Sequence, residues 1–182
     1  MKFEKLSIPD VILIHPMVFE DNRGFFLETY KKSEFYENGI MYEFIQDNHA
    51  KSHKNVFRGL HYQLSPEAQG KLIRVTRGSV IDFAVDIRKE SSSYGKYVSA
   101  HLSAESKKML WIPPGFAHGY LTLEDNTEFQ YKTTAQYAPL FERGIKFDDV
   151  EISLELPVSK EDLILAEKDK VLPALKDAEN NF

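Results

Sequence analysis

Gly70-Lys71-Leu72-Ile73-Arg74-Val75 leads, by way of Gly78, into Val80-Ile81-Asp82-Phe83-Ala84-Val85-Asp86-Ile87. Both runs are rich in branched apolar residues and bounded by glycine, which is the composition of strands. In the second run Ile81, Phe83, Val85 and Ile87 alternate with Val80, Asp82, Ala84 and Asp86, so the stretch has two separate faces. Period two belongs to a sheet and not to a helix. Just upstream, Arg58-Gly59-Leu60-His61-Tyr62-Gln63 adds a histidine and a glutamine, and Lys71 joins them. A strand packed on both sides is a rigid platform for such polar groups.

The flanking chain reads the same way. Val11-Ile12-Leu13-Ile14 is a terminal strand that needs a partner, within the fold or on a second subunit. Glu20-Asp21-Asn22-Arg23-Gly24 is a turn, followed by a strand with Phe26 and Glu28 on one face. Lys31 to Asn38 predicts a short helix stopped by Gly39. Phe44 to His49 returns to strand, with Gln46 and Asn48 on the same side. Strands are also expected at Lys96–Ser103, Lys108–Ile112, Tyr120–Leu123 and Thr127–Thr134, the last with Thr127, Phe129, Tyr131 and Thr133 on one face. Pro113-Pro114-Gly115 interrupts them and delivers Phe116-Ala117-His118-Gly119. Near the C-terminus, Ser159 followed by Asp162 predicts a helix cap ahead of Leu163-Ile164-Leu165-Ala166. Many short strands with turn residues between them predict an all-β antiparallel barrel or sandwich. With no repeat or linker, residues 1–182 are expected to form one domain.

Composition narrows the function. A net charge of −5 argues against a general nucleic-acid binder, while leaving room for a nucleotide held by a few arginines. The absence of cysteine excludes disulfides, thiolate metal sites and a cysteine nucleophile. Met1-Lys2-Phe3-Glu4-Lys5-Leu6 lacks the apolar run of a signal peptide, and no segment reaches membrane-spanning length. The expected setting is the cytoplasm, with no membrane partner.

Pro113-Pro114-Gly115-Phe116-Ala117-His118 resembles the second signature of the cupin superfamily, whose fold is a small double-sheet jelly-roll barrel. That resemblance implies a cupin barrel with a few short peripheral helices. The central stretch resembles the first signature but departs from it. Where metal-binding cupins carry two histidines one residue apart, this chain has His61-Tyr62-Gln63, and Lys71 stands in place of the glutamate ligand. A catalytic metal takes about three protein ligands, and only His61 and His118 remain, so no metal is expected. What is left is a base, an acid and a cation. His61 can take a proton near neutral pH, Tyr131 can return one as a phenol, and Lys71 can stabilise an oxyanion. These parts suit removal of a proton α to a ketone, and no step calls for a cofactor.

Taken singly, none of these residues decides a function. A strand histidine is commonly a packed structural residue, an inward tyrosine commonly fills a core, and Arg23 and Arg58 read as surface charges. Asp169, inside Glu167-Lys168-Asp169-Lys170, reads as part of a solvated charge run.

The ordered blocks say more together. Asp21-Asn22-Arg23-Gly24-Phe25-Phe26, Phe44-Ile45-Gln46-Asp47-Asn48, Arg58 to Gln63, Gly70 to Val75, Pro114 to Gly119, Tyr131-Lys132-Thr133-Thr134, Glu142-Arg143-Gly144-Ile145 and Glu167-Lys168-Asp169 run almost end to end. In these the chain resembles the dTDP-4-dehydrorhamnose 3,5-epimerase family of cupin-fold sugar-nucleotide epimerases. The resemblance implies His61 as base oriented by Asp169, Tyr131 as acid, Lys71 near the sugar C4 oxygen and His118 in the sugar pocket. It implies Arg23 and Arg58 on the diphosphate of a dTDP-linked 4-keto-6-deoxy sugar, with Glu28, Gln46 and Asn48 on nucleoside or sugar. Phe19 would stack near the base, and Glu142 and Lys168 would complete the pocket. It also implies a homodimer with exchanged N-terminal strands. Ala135-Gln136-Tyr137 departs modestly from the family pattern, which bears on substrate detail. Inversion at a single centre, another nucleotide-linked sugar, or a non-catalytic sugar-nucleotide binder remain alternatives at this level.

Overall fold

A computed structural model describes residues 1–182 and turns the period-two patterning into thirteen strands. The N-terminal part contains β1 (Lys2–Lys5), β2 (Ile12–His15), β3 (Val18–Asp21), β4 (Gly24–Leu27) and the helix α1 (Lys32–Glu37). The central strands are β5 (Gln46–Ser52), β6 (Phe57–Gln63), β7 (Lys71–Arg77), β8 (Ser79–Asp86) and β9 (Tyr97–Ser103). They are followed by β10 (Met109–Ile112), β11 (Phe116–Thr122), β12 (Thr127–Thr133), β13 (Glu142–Gly144) and the one-turn helix α2 (Glu167–Lys170).

Six strands form one sheet in the order β1-β2-β10-β7-β12-β5, and five form a second in the order β13-β6-β11-β8-β9. The expected closed barrel does not form. Closure requires a hydrogen-bonded ladder joining the first and last strands, and each sheet instead ends in free edges, β1 and β5 in one, β13 and β9 in the other. The architecture is therefore two open antiparallel sheets, joined through side chains. β3 and β4 pair only with each other, as a separate ribbon.

The alternation in β8 has a physical outcome on both faces. Val80 and Ala84 turn inward, where they join Ile73, Val75, Leu110 and Phe129 of the six-stranded sheet. Phe83, Val85 and Ile87 turn outward, yet are also buried, against Ile145, Phe147, Ile152 and Leu175 of the C-terminal segment. Side chains withdrawn from water in this way contribute about 1.5–3 kcal/mol each. The outer face of the six-stranded sheet is partly covered by α1, whose Phe35 packs with Ile12, Ile14 and Trp111.

The helix expected over Leu163–Ala166 is absent. Only Lys160–Asp162 coil, as a single 3₁₀ turn, and the Ser159 hydroxyl bonds the Asp162 side chain, capping no backbone N–H. The next residues are extended because Ile164 lies beside Val56 in a parallel bridge, its backbone bonded to Asn55 and Phe57. Leu163 and Leu165 then face the five-stranded sheet while Ile164 faces solvent. Strand-like alternation wins because it packs two leucines, partly buried, against the sheet.

Candidate active site

β6 places Arg58 and His61 on one face, although strict alternation would put residues three apart on opposite faces. Against β11, His61 pairs with His118 and Arg58 with Tyr120, so three steps on β6 oppose two on β11. This bulge falls at Gly59, whose φ is +136°, a conformation open to glycine and costly for other residues. Close packing also demands glycine at this position, since a Cβ on Gly59 would come within 2.5 Å of the Gly119 Cα. Bulges re-aim side chains beside functional sites. Here one turns Arg58 and His61 into the same cavity.

That cavity, about 400 Å³, lies between the two sheets. Arg58, His61, His118 and Tyr120 enter it from the five-stranded sheet, and Gln46, Asn48, Lys71 and Tyr131 from the six-stranded sheet. Glu142, Lys168 and Asp169 also line it, together with Tyr137. Ten of the thirteen residues singled out in the sequence are thus brought together: His61, Tyr131, Asp169, Lys71, Gln46, Asn48, Arg58, His118, Glu142 and Lys168.

His61 Nε2 donates to Asp169 Oδ1 across 2.7 Å. Asp169 is only 2% exposed, so the solvated reading of its charge run is overturned: α2 turns Asp169 inward and leaves Glu167, Lys168 and Lys170 outside. With Nε2 committed, Nδ1 is the nitrogen left to take a proton. On the facing sheet, burial raises the Tyr131 phenol above its ordinary range, so it is a protonated donor at neutral pH. The histidine–aspartate pair and the phenol therefore line opposite walls.

Lys71 is buried, and loss of water pulls its ammonium down to about 8, against the opposing pull of Asp82 and Glu142. Its one hydrogen bond runs to the His61 carbonyl at 3.4 Å, leaving donors for a ligand. His118 Nε2 donates to both oxygens of Asp82 at 3.0 Å. Beside these groups, Glu142 accepts from Lys168 Nζ and from the Tyr137 hydroxyl, each at 3.0 Å. Burial would raise Glu142, but these two bonds outweigh it and hold the carboxyl below its usual range.

Gln63 is occupied elsewhere. Its amide donates to the carbonyls of Glu67 and Gln136 and accepts from Ala138 N–H, clamping the 135–138 loop over the cavity. No group of three or more His, Asp or Glu side chains converges as a metal-ligand set. A second recess of about 350 Å³ includes Asp47, Arg74, Gln130 and Lys132. Those polar groups are paired with one another, Arg74 with Gln130 and Lys132 with Asp47, each at 2.8 Å, so they offer no free acid–base set.

Three expected site residues stay away from the cavity within one chain. Arg23 is 86% exposed and paired with Asp21 at 2.6 Å. Phe19 and Glu28 line a separate shallow recess with Met1, Met17 and Glu34. All three lie on or just beyond the β3–β4 ribbon. Two residues that sequence reasoning did not single out for the site are Asp82, behind His118, and Tyr120, whose buried hydroxyl lacks a hydrogen-bond partner. Asp82 interrupts an otherwise apolar inward row, Val80-Asp82-Ala84, and that was the available signal.

Residues 5–177 match the family model of dTDP-4-dehydrorhamnose 3,5-epimerase. The chain belongs to that family. It is 52% identical over 170 residues to dTDP-4-dehydrorhamnose 3,5-epimerase of Shigella flexneri, covering 93% of each chain. The crystal structure of the Elizabethkingia anophelis enzyme of that name superposes with a TM-score of 0.94 at 42% identity, covering 97% of both chains. The Legionella pneumophila dTDP-6-deoxy-D-glucose-3,5-epimerase, solved in complex with dTDP-4-keto-L-rhamnose, superposes with a TM-score of 0.93 at 39% identity, covering 97% of this chain and 93% of that one. In this member of the family, no helix is long and apolar enough to cross a membrane.

Proposed function

We propose that this protein inverts C3 and C5 of dTDP-4-keto-6-deoxy-D-glucose, giving dTDP-4-keto-L-rhamnose, by acid–base chemistry through an enolate. The observation that carries the reading is a histidine–aspartate pair on one wall of the cavity with a protonated tyrosine on the other. The C4 ketone acidifies both neighbouring carbons, so one base can serve two centres. His61 Nδ1 takes the proton from C5 or C3, with Asp169 holding the ring in place through Nε2. The electron pair moves onto the C4 oxygen, where the Lys71 ammonium stabilises the enolate in a site poor in water. The Tyr131 hydroxyl then protonates the same carbon from the opposite face. Solvent returns a proton to the tyrosinate and takes one from His61.

Arg58 is assigned to the diphosphate, since its fork is loosely held, by Ser52 Oγ at 3.2–3.3 Å and the Lys51 carbonyl at 3.4 Å. Gln46, Asn48, His118, Glu142 and Lys168 contact the sugar or nucleoside in this reading. Phe19, Arg23 and Glu28 are assigned to the cavity of a second copy in a homodimer. Two features support that assignment. The β3–β4 ribbon stands apart from both sheets with Phe19, Phe25 and Phe26 exposed, and a lone two-stranded ribbon is marginal without further packing. β1, the edge strand of the six-stranded sheet, offers unpaired backbone for exchange with the partner.

Incubation with dTDP-4-keto-6-deoxy-D-glucose in D₂O, followed by NMR, tests the reading. Deuterium at both C3 and C5, with conversion to the rhamno configuration, is expected. Label at one carbon alone would mark a single-centre epimerase, and no label a non-catalytic binder.

A further inference from the structure

Four side chains form a row beneath the cavity, the first behind it and the other three lining it: Asp82 on β8, His118 on β11, His61 on β6 and Asp169 on α2. His61 and His118 are direct cross-strand partners, and each gives its Nε2 hydrogen to the carboxylate at its own end of the row. The His61–Asp169 end belongs to the proposed reaction. At the other end His118 is assigned to the sugar or nucleoside, but Asp82 behind it has no role, although it is completely buried, an expensive place for a carboxylate that supports packing alone.

We infer that Asp82 is a positioning residue for the epimerisation: through His118 it presents an imidazole Nδ1 as hydrogen-bond acceptor to a sugar hydroxyl, and it supplies the buried counter-charge to the Lys71 ammonium. The inference rests on the epimerase reading for its substrate, but its structural content does not depend on it. An ionised carboxylate can only accept, so its two contacts at 3.0 Å require a hydrogen on Nε2. Burial pulls the His118 imidazolium down, so the ring is neutral and Nδ1 carries a lone pair. Nδ1 is then the ring nitrogen left to the cavity that His118 lines. A 4-keto-6-deoxyhexose carries hydroxyls at C2 and C3 that can donate to it.

Lys71 draws on the same carboxylate. The titratable groups around the ammonium are Asp82 on β8, His118 on β11, His61 on β6, Tyr131 on β12 and Glu142 on β13. Of these, Asp82 and Glu142 are the negative charges, and Glu142 is already engaged by Lys168 and Tyr137. Asp82 has His118 as its only hydrogen-bond partner; burial pushes its carboxyl up, and His118 and then the Lys71 ammonium oppose that rise. The positive charge that an enolate needs is thus maintained by a group that does not touch the substrate.

Asp82→Asn keeps the shape, removes the charge and lets an amide donate to Nε2, which reverses the tautomer of His118. The expected result is roughly a hundredfold lower kcat, KM and dTDP affinity changed far less, and an alkaline limb of kcat moved to lower pH than in the wild type. The sign follows from Lys71: without Asp82, desolvation is less opposed and the ammonium gives up its proton earlier. A folded Asp82→Asn with wild-type kcat and an unmoved alkaline limb overturns the inference. Two measurements without substrate separate its failure from failure of the epimerase reading. Nitrogen NMR of His118 in the wild type is expected to show the neutral Nε2–H tautomer, and an Nδ1–H form overturns the inference even if Asp82→Asn does not fold. Carbon NMR of the Lys71 Cε is expected to show an earlier titration in the variant, and an unchanged one overturns it.

Discussion

His61 Nε2 and Asp169 Oδ1 stand 2.7 Å apart, although 108 positions of chain separate the two residues. The contact exists because the C-terminal segment folds back along the outer face of the five-stranded sheet and carries α2 past the end of β6. The pair is therefore assembled by tertiary structure, and the imidazole orientation depends on a helix of a single turn.

Removing either member should separate binding from chemistry. His61→Asn is expected to abolish proton exchange and inversion, a loss of roughly 10²–10⁴-fold or more, with dTDP affinity largely retained. Asp169→Asn leaves the imidazole in place but offers it a hydrogen-bond donor, so kcat falls while KM changes little. Steady-state kinetics and dTDP titration check both. Retained exchange at C5 in His61→Asn would remove His61 from the base role.

Arg58→Ala is expected to weaken dTDP binding by about 1.5–3 kcal/mol, the cost of lost charge-assisted hydrogen bonds. Arg23 does not reach its own cavity, so in the proposed homodimer Arg23→Ala should also weaken binding, through the partner's cavity. Calorimetry on mixed dimers is decisive here. In a dimer of a chain carrying Arg23→Ala and Arg58→Ala with a wild-type chain, exchange leaves each cavity with one wild-type arginine and one alanine, so that both cavities bind weakly. One unimpaired cavity per mixed dimer would contradict the exchanged arrangement.

Asp86 carries stability and not catalysis. Burial would raise its carboxyl, but hydrogen bonds from Arg88, Ser91 and Ser93 outweigh that and bring it down to about 2. A depressed carboxylate stabilises the fold above its unfolded pKa near 3.9, and that contribution fades as pH falls toward 2. Denaturant unfolding of Asp86→Asn should show a loss of about 2–3 kcal/mol at pH 7. The difference from wild type should shrink steadily between pH 4 and pH 2. A constant difference across that window would mean that packing, and not charge, is what the substitution removes.

Much of this was legible in the sequence because sheet faces have a fixed period. Phe129 and Tyr131 share a face, as do Gln46 and Asn48, and both pairs turn inward as their alternation required. Arg58 and His61 were not legible in this way, because the bulge at Gly59 changes the parity of β6 and no local pattern announces it. Asp169 was hidden for a different reason. Its neighbours are all charged, and only a single helical turn docked by tertiary contacts separates its direction from theirs. The closed barrel failed on long-range geometry: strand identity is local, whereas closure depends on whether distant edges meet. Leu163–Ala166 failed because apolar residues fit a helix or a strand equally well until a neighbour such as Val56 decides.

The most direct test of the two-walled mechanism is NMR of the sugar nucleotide incubated in D₂O with Tyr131→Phe. His61 and Asp169 are intact in this variant, so the proton at C5 is still removed and the enolate still forms. Without the phenol on the opposite wall, the carbon is reprotonated from the face it was stripped. The account predicts deuterium at C5 with most net inversion lost. Full, unimpaired inversion by Tyr131→Phe would contradict it and would move the acid role to Tyr137 or to a bound water.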